Sequence, residues 1–177
     1  HRDLHSFPTR RSSDLLEELA AKPPQRVPGT AVFMSGRLFP APPTLIHHLE
    51  HNKVLHEQVV ILTILTEDIP RVSASERIEL KRLGQGFYRL IVRYGFMQSP
   101  NVPVILRECE PLGLVTSPET TTFYLGRETL ISTEKVSGMP RWREKLFAFM
   151  ARNALQATAF YNLPPDRVVE LGQQVEI

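Results

Sequence analysis

The chain has 177 residues, 42% hydrophobic and 23% charged, which is enough apolar material for one globular domain with a sizeable core. Lys and Arg total 21 against 19 Asp and Glu, scattered rather than striped, so nucleic acid is not the expected partner. The single cysteine, Cys109, excludes an internal disulfide, and no apolar run approaches the roughly 20 residues that a bilayer span needs.

The segment up to Asp14 is polar and unpatterned, and disorder is expected there. His1-Arg2-Asp3-Leu4 invites comparison with a kinase catalytic loop, but Pro8 stands where that loop needs its magnesium-binding Asn. Leu16 to Ala21 reads as the end of a helix, and the prolines of Lys22 to Gly29 as a linker or extended entry segment. Ala31-Val32-Phe33-Met34 is a short strand. A helix is expected from about Pro43 to His56, with Leu45, Ile46 and Leu49 as its buried stripe. Val59 to Leu65 is a β-branched run, apolar on both faces, that belongs at the centre of a covered sheet.

Arg77 to Arg82 and Phe87 to Phe96 form a hairpin around Leu83-Gly84-Gln85-Gly86, with Tyr88, Leu90, Val92 and Tyr94 sharing one face. After Pro100, Val102, Ile105, Leu106 and Cys109 fall at i, i+3, i+4 and i+7, the stripe of a short helix. Thr121 to Leu125 and Thr129 to Ile131 read as two strands around Gly126-Arg127-Glu128. A long helix opening at Pro140 carries Trp142, Leu146, Phe149, Met150, Ala157 and Phe160 at helical spacing. Arg167 to Ile177 is a last strand region. This order predicts an α/β fold: a mixed, mainly parallel sheet with helices packed on it and one antiparallel hairpin.

Chemistry is sparse. His47, His48, His51 and His56 are dense, and His47 with His51 share a helix face at i, i+4, but nothing nearby completes a metal site, and a solvated, partly packed face accounts for them. Gly84-Gln85-Gly86 is a turn rather than a dinucleotide fingerprint, because Arg89 stands at the third glycine position and a strand follows. Cys109 lies on an apolar stripe, as a buried inert thiol does. Arg141, Arg143 and Lys145 oppose the dipole at the start of the long helix and, with Arg127, could contact an anion or nucleotide; pairing with Glu128 and Glu144 at the surface is the alternative. No triad, paired carboxylates or phosphate loop is present, so neither an enzyme nor a resident cofactor is expected.

From Arg26 onward the residues resemble a known family. Val27-Pro28-Gly29-Thr30-Ala31-Val32-Phe33, His51-Asn52-Lys53-Val54-Leu55-His56-Glu57, Thr66-Glu67-Asp68-Ile69-Pro70-Arg71-Val72, Arg93-Tyr94-Gly95-Phe96-Met97 and Phe123-Tyr124-Leu125-Gly126-Arg127-Glu128 are similar to the cytosolic C-terminal domain of bacterial Kup (KUP/HAK/KT) potassium transporters. So are Trp142 to Ala154 and Pro164 to Gly172. The resemblance implies a low-affinity-type potassium uptake system, a potassium:proton symporter of the inner membrane, whose ion path lies in a membrane domain. Residues 16–29 would then be the end of a connecting helix and a Pro-rich linker, and 30–177 the cytosolic α/β domain. Its expected partners are the membrane domain, a nucleotide ligand and a second copy in a homodimer. Its expected role is regulation or assembly, without ion-binding residues of its own; the alternative is a nucleotide-sensing or dimerisation module with no transport role. Residues 1–15 resemble, letter for letter, translated short-read sequencing adapter DNA, and are expected to be an artefact joined to a truncated gene.

Overall fold

The computed structural model describes residues 12–36, 38, 41–131 and 157–176. Helix α1 (Ser12–Ala21) leads into β1 (Gln25–Ser35), α2 (Pro43–Asn52) and β2 (Val54–Glu67). A helical turn, α3 (Ala74–Arg77), precedes β3 (Ile78–Gly84) and β4 (Phe87–Gly95). Then come α4 (Val102–Glu108), β5 (Thr121–Ile131), a helical turn at Ala157–Phe160 and β6 (Val168–Glu176). The strands form one sheet in the order β3-β4-β2-β1-β5-β6. Every neighbouring pair is parallel except the β3–β4 hairpin, which is the mixed, mainly parallel α/β sheet expected from the sequence.

Alternation along the central strands divides the core in two. Val32, Val60, Leu62, Leu90, Val92, Phe123 and Leu125 point to the face covered by α4, where Val102, Ile105, Leu106 and Cys109 form the stripe read from their spacing. Ala31, Phe33, Val59, Ile61, Phe87 and Tyr124 point to the other face, under Leu15 and Leu19 of α1 and Leu45 of α2. Successive residues of β1, β2 and β4 are therefore buried on opposite sides, which is why these strands read as unbroken apolar runs. Each fully buried Leu or Val in them stabilises the fold by about 1.5–3 kcal/mol.

Several boundaries differ from the sequence reading, each for a local reason. Strand β1 begins at Gln25: Gln25 to Gly29, read as part of the linker or entry segment, are its first half, with a register shift between Val27 and Thr30 that Pro28 and Gly29 (φ 103°) accommodate. Helix α2 stops at Asn52 because Lys53 takes a left-handed conformation (φ 57°) and its N–H closes on the Leu49 carbonyl at 3.1 Å, so His56 belongs to β2. The two short strands around Gly126 are one continuous β5. Helix α1 starts at Ser12, inside the stretch read as unpatterned, and buries Leu15. Asn101 caps α4, its side chain accepting from the Val104 N–H at 3.1 Å. Ala157 and Phe160 are helical but exposed, while Tyr161 and Leu163 turn into the core. The rest of the long helix expected after Pro140 lies outside the described residues, as do residues 1–11.

Candidate functional site

The chain leaves β1 for β2 on one side, whereas β5 joins β1 on the other, so the strand order reverses at the β1–β5 boundary. In open α/β sheets the carboxyl ends of the strands at such a reversal form a crevice. Here β1 and β5 pair from Thr30↔Thr121 to Phe33↔Tyr124, while β5 continues against β6 as far as Ile131↔Glu176. Beyond Tyr124 the two central strands are no longer paired, and the crevice opens there.

The last β1–β5 pair is aromatic. Phe33 and Tyr124 stack with centroids 4.5 Å apart and planes 12° apart, and His48 of α2 meets the Tyr124 ring edge-on at 4.8 Å. Such pairs add about 0.5–1.5 kcal/mol to the burial of the rings. Thr44, one helical turn before His48, stands over Gly126, where a β-carbon would lie 3.2 Å from the Thr44 methyl; the absent side chain lets α2 approach β5.

His48 is only 4% exposed, on the packed side of the helix face that was read as solvated and partly packed. The signal for it was its place three residues after Leu45, on the buried side of α2. The Asn52 side-chain amide lies 2.8 Å from His48 Nδ1. With the amide as donor, Nδ1 accepts and the proton of the neutral ring rides on Nε2. Among the described residues, His48 Nε2, Thr44 Oγ1 and His56 Nδ1 are buried with no hydrogen-bond partner. Burial, reinforced by His56, lowers the His48 pKa. Burial lowers that of His56 and raises that of Tyr124. The cluster therefore holds neutral rings.

The anion-contact residues fare unequally. Arg127 pairs through its backbone with Gly172 of β6, three residues past the last β1–β5 pair, at the mouth of the crevice. Arg141, Arg143 and Lys145 lie outside the described residues. The His47 and His51 rings are 4.3 Å apart, but among the described residues no group of three His, Cys, Asp or Glu could hold a metal ion. Gly84-Gln85-Gly86 is the β3–β4 turn, as read, with all three residues at positive φ. Cys109 is fully buried, and burial, with a smaller contribution from Glu108, pushes its thiol up to about 11, which suits an inert core residue. No described helix is long and apolar enough to cross a membrane.

The chain belongs to the family described as the K+ potassium transporter C-terminal domain, which matches residues 28–177. Its similarity to individual relatives is high: it is 96% identical over 162 residues to the probable potassium transport system protein Kup 1 of Geobacter sulfurreducens, covering 92% of this chain and 26% of that protein. It is 54% identical over 177 residues to the probable potassium transport system protein Kup of Nitrosomonas eutropha, covering 100% of this chain and 27% of that protein. A Myxococcus xanthus protein of the same description is 53% identical over 180 residues, covering 99% and 27%. The chain thus spans about a quarter of the length of the curated relatives it matches. No solved structure matches it.

Proposed function

We propose that this chain is the cytosolic C-terminal domain of a potassium uptake transporter that moves potassium with protons across the bacterial inner membrane, and that the domain regulates or assembles the transporter without carrying the ion path. The observation that carries this reading is the family match over residues 28–177 in a chain one quarter as long as its relatives. A potassium path needs oxygen ligands lining a route through the bilayer. We assign that route to the three-quarters of the relatives' length that lies beyond the match. The test is potassium uptake by the full-length protein in cells stripped of their own uptake systems, with internal pH recorded. Uptake accompanied by internal acidification is expected; uptake without acidification removes the proton coupling, and no uptake removes the transporter reading.

Regulation in this reading is a coupling free energy: a ligand that prefers one arrangement of the domain shifts the attached transporter by that difference in affinity. The crevice at the strand-order reversal, with Arg127 at its mouth, favours an anionic nucleotide of the cyclic-dinucleotide or AMP type as that ligand, with Arg141, Arg143 and Lys145 as further contacts. Calorimetry on this chain tests it, heat of binding being expected and its absence at millimolar nucleotide counting against it. Assembly as a homodimer is tested by sedimentation, which a concentration-independent monomer would contradict.

A further inference from the structure

Two segments that are distant in sequence, Thr66 to Val72 after β2 and Arg93 to Gln98 at the end of β4, meet at the carboxyl edge of the sheet. The Phe96 N–H donates to the Ile69 carbonyl at 3.0 Å and the Met97 N–H to the Pro70 carbonyl at 3.1 Å. Gln98 binds both strands of this corner: its Oε1 accepts from the N–H groups of Gly95 and Val72, each at 2.9 Å, and its Nε2 donates to the Val72 carbonyl at 3.3 Å. Gly95 passes so close to the Pro70 carbonyl that a β-carbon would not fit between them. This fixed corner presents its large apolar side chains to solvent: Ile69 is 49% exposed, Phe96 62% and Met97 64%. A floppy loop can expose such residues incidentally. A corner held by five hydrogen bonds shows them in one arrangement, which is how a docking surface is built.

We propose that the Ile69-Phe96-Met97 ledge docks against the cytosol-facing surface of the transporter's own membrane-spanning portion; this rests on the transporter reading above. Three observations select that partner. First, the relatives extend for about three times the length of this chain beyond it, and that polypeptide is tethered at high effective concentration. Second, α1 ends only a few residues before β1 begins and packs Leu15 and Leu19 into the same core as Phe33 and Ala41. It must therefore run back along the sheet face, so that its first turn lies toward the carboxyl edge, where the ledge stands. Third, the ledge is flanked by Glu67 and Asp68 as well as Arg71, and Arg93 is engaged by Glu67 and Glu79. An anionic lipid surface selects a surplus of Lys and Arg, which this corner lacks.

The experiment places a photo-crosslinking amino acid at Phe96 of the full-length protein in its native membranes, with a second variant carrying it at the exposed Leu112 as comparison. Cross-linked peptides from the membrane-spanning portion, obtained from position 96 and lost from position 112, are expected. Adducts with lipid, with another copy of this domain or with residues 132–156, or no adduct at position 96, would overturn the ledge's assignment. Membrane fractionation and potassium uptake of the same variants read the underlying assignment separately: a protein that is membrane-bound and takes up potassium but gives no such adduct sinks only the ledge. One found outside the membrane sinks the transporter reading and this partner together.

Discussion

The two faces of the sheet are built from alternate residues of the same strands, yet they differ in chemistry. Under α4 the core is mainly aliphatic, with Phe123 and Tyr94 among its buried residues, and it is closed by Val102, Ile105, Leu106, Leu114 and the inert Cys109. Under α1 and α2 the strands present Phe33, Phe87 and Tyr124, and α2 answers with Thr44 and His48, two buried polar side chains that carry unpartnered atoms. The first face is held mainly by apolar packing. The second keeps polar groups where an apolar residue would cost less, and it adjoins the crevice at the strand-order reversal. Among the described residues the buried histidine lies on the second face.

The largest break in that contrast comes from emptying the aliphatic face. Leu90→Ala or Ile105→Ala removes a fully buried side chain from a packed layer and is expected to destabilise the domain by about 2–5 kcal/mol, read from urea unfolding. On the aromatic face, Tyr124→Phe keeps the stacked ring and removes only the hydroxyl, so the change should be nearly silent. Tyr124→Ala removes the ring and its stacking on Phe33, and should cost about 3–5 kcal/mol. A Tyr124→Phe loss as large as that of Tyr124→Ala would mean that the hydroxyl, not the ring, holds this face.

Acid should distinguish the faces next. The folded pKa values of His48 and His56 lie below the ordinary histidine value, so around and below that value the unfolded chain binds more protons than the folded one. Stability is then complete above about pH 6.5 and falls as the pH drops through that value toward the lower folded ones. The groups facing His48 are Asn52 on its own helix, Phe33 and Tyr124 on the sheet, and His56 on β2; none is a carboxylate that would favour the charged ring. Unfolding midpoints between pH 7.5 and 5.5 check this, with His48→Gln expected to flatten the slope and a slope unchanged in that variant speaking against His48 as its source. The smallest effect belongs to Cys109: thiol reagents at neutral pH should label it only as fast as the domain opens, and rapid labelling of the folded protein would contradict its place in the aliphatic face.

What could be read from the sequence follows the same division. The aliphatic face was legible because its signals are pure periodicities: the run from Val59 to Leu65, the alternation of Leu90, Val92 and Tyr94, and the spacing that puts Cys109 on α4's stripe. The other face hid its logic in exceptions. Pro28-Gly29 has the composition of a linker but forms a register shift inside β1, and Lys53 ends α2 in a conformation usually left to glycine. Gly126 looks like a strand break, but its missing side chain is the space into which Thr44 packs. His48 was read with its neighbours as part of a solvated, partly packed helix face, because histidine is ambivalent and only the packing of α2 on β5 decides which of them is buried. The ledge was beyond sequence reasoning altogether, since no local pattern says that Ile69 and Phe96 will share a hydrogen bond.

The central claim is that this domain acts on a transporter to which it is joined. Its most direct test is potassium uptake by the full-length protein compared with a form ending before Gln25, both measured per molecule inserted in the membrane. The account predicts that the shortened form still inserts but takes up potassium at an altered rate, through lost regulation or lost assembly. Equal uptake by the two forms, under every potassium and nucleotide condition tried, would contradict it.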